Sequence, residues 1–180
     1  AGYALGSRQN EPEKTPEQRQ TAAWAAEIRT ATARGGQDRV VATVDGKPIL
    51  MAQVSGLLAA SKAFEGTNPD APSTPEAALD QLIDNAIIAA AAERAGVLVT
   101  EEEVTATIQA GTVDPLKNGT LTAEQREAAE ATLALSGTDV DSVVEHEPTR
   151  QVIRDRLLRE IYLELTGFDA ATIAAQEREN

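Results

Sequence analysis

The single histidine, His146, stands four residues after Ser142 and between Glu145 and Glu147. This is the nearest the sequence comes to a nucleophile, base and carboxylate set, in which an imidazole takes a hydroxyl proton while an acid orients it. A spacing of four would put Ser142 and His146 on one helix face. No Gly-x-Ser-x-Gly turn presents the serine, and Pro148 interrupts any helix two residues on. The arrangement reads as a histidine at a helix end.

Carboxylates are abundant but poorly arranged for chemistry. Glu101, Glu102 and Glu103 are consecutive and would point in different directions on a helix. They follow Thr100, so they read as an N-terminal capping box in a favourable helix dipole rather than as metal ligands. Asp139, Asp141 and Glu145 could approach a hard cation, but no Gly-centred loop of the EF-hand type accompanies them. A two-acid hydrolase would need a cleft that packs its substrate. The chain has only Tyr3, Trp24, Phe64, Tyr162 and Phe168 as aromatics. There is no phosphate loop and no dinucleotide fingerprint. Asn118-Gly119-Thr120 fits the short glycosylation pattern and nothing more specific. The absence of cysteine removes disulfides, thiolate metal sites and cysteine nucleophiles. The expectation is no catalytic residue, no metal site and no cofactor.

Charge narrows the partners. The 180 residues carry a net charge of −13. From Asp70 to Asp114 there are nine acids and one base, Arg94, a local charge of −8. Such a surface repels phosphate, so nucleic acid is not an expected partner. It keeps a protein soluble and attracts basic groups.

The elements that must position any site are mostly helical. Residues 1–37 read as a flexible segment carrying a helix over 16–34, opened by Thr15-Pro16 and closed by Gly35-Gly36. Its apolar stripe of Trp24, Ile28 and Ala31 is narrow. Arg39 to Met51 reads as a β-hairpin: two short apolar runs around Asp45-Gly46, a favoured two-residue turn. Pro48 makes its strand an edge. Val41 and Thr43 should face one way and Val40, Ala42 and Val44 the other.

Helices then follow over 52–64, 74–95, 100–110, 122–135 and 149–165. Residues 65–73 and 111–121 read as loops. The strongest helix shows Leu79, Leu82, Ile83, Ala86, Ile87 and Ala90 on one face. On the last long helix, Asp155/Arg159 and Arg156/Glu160 read as outward ion pairs. Residues 167–180 read as a short tail. No run of 18 apolar residues occurs. AGYALG at the start is compatible with the remnant of a removed signal or anchor, so a membrane anchor preceding Ala1 stays open.

The order of these pieces resembles the N-terminal chaperone domain of the bacterial SurA family, shared with parvulin-type foldases such as PrsA and PpiD. The residues carrying the resemblance are Val44-Asp45-Gly46-Lys47-Pro48-Ile49, Leu79, Leu82-Ile83, Ile87-Ile88, Glu93-Arg94-Ala95-Gly96 and Val99 to Val104. They lie within residues 38–166. Leu50-Met51 depart from the family, which commonly has Ser or Thr there. The resemblance implies a mainly α fold: a helical SurA-N-like domain with one small N-terminal β-hairpin. It also implies that the hairpin packs against elements from the far end of the domain.

The implied function is an ATP-independent, extracytoplasmic bacterial chaperone module of the periplasm or cell envelope. It would bind unfolded or partly folded secreted and envelope proteins through an apolar groove. Trp24, Leu58 and Phe64 are the expected client contacts, being large apolar residues near thin or ended helix faces. No parvulin domain fits in this chain, so the module itself is not expected to be an enzyme. Two alternatives stay open. One is the substrate-holding part of a peptidyl-prolyl isomerase whose catalytic domain lies beyond Asn180. The other is a scaffold that forms a homodimer through its first helix or hairpin edge.

Overall fold

The computed structural model describes residue 36, residues 38–63 and residues 71–178. The expected helix over 16–34 lies outside them, as does most of the 65–73 loop. Two strands, β1 (Val40–Val44) and β2 (Lys47–Leu50), lead directly into helix α1 (Met51–Ala63). Then come α2 (Pro75–Arg94), α3 (Glu101–Ile108), a π-helical turn (Gln109–Val113), α4 (Asp114–Lys117), α5 (Ala123–Leu135), α6 (Glu147–Thr166) and α7 (Ala170–Arg178). The fold is mainly α with one small antiparallel hairpin, as the sequence implied.

Threonine caps set the starts of α2, α3 and α5. Thr74 accepts a hydrogen bond from Ala77 N at 3.2 Å. Thr100 with Glu103 and Thr122 with Gln125 each form a complete capping box. At the end of α2, Gly96 turns left-handed (φ +82°). Val97 N then donates to Ala92 O at 2.9 Å, and the Val97 side chain packs against the buried Ala89, Ala92 and Leu158.

The hairpin turns at Asp45 (φ +48°) and Gly46 (φ +77°), the pair of left-handed residues that a tight hairpin of matching twist needs. Its face alternation differs from the expectation. Val40 pairs with Leu50 but Ala42 pairs with Ile49, so β1 bulges at Val41. The extra residue breaks the period of two. Val40 is therefore exposed, while Val41, Ala42 and Val44 all pack on the cluster of Ile49, Val54, Ala78 and Leu82. Val152 of α6 joins the same cluster. The hairpin thus lies on α2 and the last long helix.

Helix α2 is the hub. The sequence suggested one apolar face, yet Ala78, Leu82, Ala86, Ile88, Ala89, Ala90, Ala91 and Ala92 are all buried. The reason is crowding from several sides: α6 packs along it, α1 and the hairpin cover its first half, and α7 covers Ile88 with Ile173 and Ala174. Residues 170–178, read as tail from sequence, therefore form a docked helix.

A second cluster of Val104, Ile108, Val113, Leu116, Leu133 and Val143 joins α3, the π turn, α4 and α5. The supposed loop over 111–121 is helical through Lys117. Val113 and Leu116 are core anchors, and the wider π turn accommodates the approach to Pro115. Gln109 Nε2 donates to Asp114 Oδ1 at 2.7 Å across this turn.

One buried cation joins the clusters. Arg150 of α6 donates through Nη1 to Val144 O at 2.7 Å and Thr105 Oγ1 at 3.1 Å, and through Nη2 to Glu101. Arg154 Nη2 reaches the other Glu101 oxygen at 2.7 Å. Glu101 is therefore a clamp between α3 and α6, and its carboxyl is held below the usual range by these two guanidinium groups.

Helices α1 and α5 cross where Gly56 meets Ser136. A Cβ on Gly56 would overlap Ser136 Oγ and lie 3.6 Å from Ser136 Cβ. Gly56→Ala makes the serine rotate and give up its hydroxyl hydrogen bond to Thr132 O at 3.1 Å, set against a helix-propensity gain of about 1 kcal/mol. The single variant should be near neutral, and Gly56→Ala with Ser136→Ala should be more stable than wild type by about 0.5–1 kcal/mol. Gly56→Leu should lose about 1–3 kcal/mol by forcing the helices apart. Urea unfolding followed by circular dichroism reads all three.

Candidate functional site

The residues that came closest to a catalytic set do not assemble. The Ser142 hydroxyl donates to Asp139, which also accepts from the backbone N–H of Asp141 and Ser142 at 3.0 and 2.9 Å. These bonds lower the Asp139 pKa, the Ser142 hydroxyl contributing most. His146 Nδ1 instead meets Thr149 Oγ1 at 2.8 Å, one turn into α6, and partial burial lowers its pKa. Asp139 is thus a local turn brace. Among the described residues no group of three or more His, Cys, Asp or Glu side chains is placed to hold a metal ion.

Two other surfaces stand out, both on α6. The first is an apolar stripe that outruns its cover. Leu158, Ile161 and Leu165 are spaced by three and four and share a face. Leu158 is fully buried against Ala89 and Ala92, Ile161 is half-buried, and Leu165 is 70% exposed. Gly167 ends α6 in a left-handed turn (φ +67°), and Phe168 directly after it is 55% exposed. The loop from α2 to α3 runs beside this part of α6: Val97 and Val99 pack against the Leu158 cluster, while Leu98 between them is 83% exposed. Extended backbone alternates its side chains, so anchoring Val97 and Val99 throws Leu98 outward.

The second is a crevice of about 20 Å³ between β2, α2 and α6. Ile49, Leu82, Ala86 and Val152 give it apolar surface, and Lys47, Gln53, Asn85, Gln151 and Asp155 line it with polar groups. Asp155 corrects the sequence reading. No Asp155–Arg159 pair forms among the described residues, whereas Arg156 and Glu160 do pair, at 3.7 Å. The Asp155 carboxylate turns into the crevice and accepts from Gln151 Nε2 at 2.6 Å. Burial raises its pKa to about 6; nearby Lys47 and the Gln151 hydrogen bond pull the other way, and Glu93 adds to the rise.

Of the expected client contacts, Trp24 and Phe64 lie outside the described residues. Leu58 is half-buried and packs on the hairpin cluster. Leu98 and Leu165 escaped the sequence reading because a leucine in a strand-like loop or at the end of an apolar stripe looks like core. Only the position of the covering elements shows otherwise.

A family model described as SurA-like N-terminal domain matches residues 22–129. That is more than half of the 180-residue chain, and the chain belongs to this family. The match starts ahead of the hairpin and ends within α5, so α6 and α7 lie beyond it. No curated protein and no solved structure matches the chain.

The partly buried carboxylate of Asp155 gives a signed pH dependence. Asp155 is harder to ionise in the folded state than in the unfolded chain, so the native state holds the extra proton between about pH 4 and about pH 6. Its contribution is most favourable below that window and is lost as pH rises through about 6. Asp155→Asn should therefore be more stable than wild type at neutral pH, by about 1–3 kcal/mol, with the advantage vanishing near pH 4. Denaturant unfolding of both proteins across that pH range measures it.

Proposed function

We propose that this member of the SurA-like N-terminal domain family is an ATP-independent chaperone module. Its clients would be unfolded or partly folded secreted and envelope proteins, met outside the bacterial cytoplasm. The family membership supports a chaperone-type role in general terms. The observation that carries the finer reading is the stripe of α6 that starts buried at Leu158 and ends exposed at Leu165, with Phe168 just after the helix and Leu98 in the loop from α2 to α3 also exposed.

Large apolar side chains standing in water are available to any polypeptide that exposes its own apolar groups. Fully burying one such side chain contributes about 1.5–3 kcal/mol. A few of them give weak, broad binding that an unfolded chain can enter and leave without ATP. Trp24 and Phe64 remain proposed contacts beside Leu98, Leu165 and Phe168. Leu58 could offer only the part of its side chain that the hairpin cluster leaves uncovered. The acidic stretch around α2 would keep the loaded module soluble. Covalent chemistry has no part in this reading, and an isomerase domain, where one accompanies the module, would act on what the module holds.

The test is suppression of aggregation of a chemically denatured client, read by light scattering, with fluorescence anisotropy of a labelled unfolded peptide beside it. Wild type should delay aggregation at stoichiometric ratios. Leu98→Ser, Leu165→Ser and Phe168→Ser combined should weaken peptide binding by about tenfold or more, with unchanged helicity and thermal midpoint. A wild-type chain that neither delays aggregation nor binds unfolded peptide would remove the proposal. A triple variant as effective as wild type would remove the assignment of these three residues.

A further inference from the structure

We propose that the crevice between β2, α2 and α6 is a subsite for a lysine-type side chain of a bound polypeptide. The ammonium would enter the crevice and meet the Asp155 carboxylate, and the aliphatic stem would lie along the rim on the exposed Pro48 and the partly exposed Val152. The polypeptide origin of this ligand rests on the chaperone reading above; the chemistry of the crevice does not.

Three observations support the match. A carboxylate sits in a mostly enclosed space, with Gln151 Nε2 as its hydrogen-bond donor at 2.6 Å. Among the described residues no lysine or arginine nitrogen lies within ion-pair distance of it, because the neighbouring cations are engaged elsewhere. Lys47 Nζ is held by both Glu93 oxygens at 2.9 and 3.0 Å, and Arg154 by Glu101 at 2.7 Å. A carboxylate withdrawn from water without a cation is a strong attractor for one that arrives with its own apolar stem.

The second observation is composition. Apolar side chains and the amide-bearing Gln53 and Asn85 line the same space. Amide oxygens accept the N–H groups that one carboxylate leaves over. Third, the volume of about 20 Å³ takes one group of water or ammonium size. A planar guanidinium with its five donors is too broad for it.

The charged groups facing Asp155 are Lys47 from β2, Glu93 from α2 and Arg154 from its own helix. Binding should strengthen as pH rises through about 6, because only the ionised carboxylate pairs with ammonium.

The experiment uses the full chain and three small probes: Nα-acetyl-lysine methylamide, its norleucine counterpart and its arginine counterpart. Backbone amide shifts of β2 and α6 are followed by NMR at about pH 7.5 and about pH 5. The lysine probe should give saturable millimolar shifts at the higher pH, several-fold weaker at the lower. The norleucine and arginine probes should give none at these residues. Asp155→Asn, whose folding the stability measurement checks independently, should weaken the lysine probe by about tenfold. Equal binding of lysine and norleucine, undiminished binding to Asp155→Asn, or no saturable shift would each overturn the subsite.

A matched pair of unfolded peptides, one with lysine and one with norleucine at a single position, separates this from the chaperone reading. Tighter binding of the lysine peptide supports the subsite. Equal binding of both defeats the subsite and leaves the chaperone. Failure of both, with the lysine probe still bound, defeats the polypeptide origin and the chaperone reading together.

Discussion

The close packing of an alanine-rich helix under its neighbours is the constraint on which the rest of this molecule depends. Ala78, Ala89 and Ala92 of α2 have no exposed surface, and Ile88 between them has none either. Small side chains let the axis of α6 come near α2, and each alanine adds little rotamer entropy cost on burial. A helix buried on several sides needs partners from several parts of the chain. The hairpin, α1, α6 and α7 all supply them. Ion pairs then trim the orientation: Lys47 with Glu93 at 2.9 Å, Arg94 with Asp45 at 3.1 Å and with Glu177, and Arg178 with Asp84. These pairs are exposed and contribute little energy each. Their value lies in register, since they tie the hairpin turn and α7 to the same helix, Arg94 holding both at once.

Arg150 does a different job. It is the one buried charged residue among those described, and its hydrogen bonds go to a backbone carbonyl, a hydroxyl and the Glu101 carboxylate. A fully partnered buried charge adds modestly to stability, but leaving its partners unmet would be costly. It therefore penalises any other angle between α3 and α6.

Local signals were legible in the residues, and signals made by distant parts of the chain were not. Thr100 caps the helix it was expected to cap, the helices expected from 74 and 122 start at Thr74 and Thr122 caps, and Asp45-Gly46 makes the expected turn. Each depends on residues within three or four positions. Pro115 looked like a loop residue because its own propensity opposes helix interior. Val113 and Leu116, anchored in a core assembled from α3, α5 and the Val143 turn, override it through a π turn. Asp155 looked like half of an outward ion pair because charge spacing carries no information about which face another element will cover. The bulge at Val41 and the docking of α7 were hidden for the same reason. The candidate site was the least legible part: an exposed leucine and a partly buried aspartate are each recognised only once their surroundings are in place.

The two surfaces on α6 belong to one geometry. Asp155 and Leu165 are ten residues apart, which a helix converts to about 15 Å along its axis and about 80° around it. An extended polypeptide covers about 15 Å in four or five residues. A single unfolded segment is therefore long enough to place a lysine in the crevice and an apolar side chain on the stripe. Neither contact alone would hold a client for long. Joined on one chain, the second contact forms at an effective concentration set by the short segment between them, so the two weak affinities reinforce each other. Sequences offering an apolar residue and a lysine at this spacing are common in unfolded proteins and rarely exposed together in folded ones. A rigid helix bearing both surfaces would thus favour unfolded chains over native ones by spacing alone, with no need to read a particular sequence.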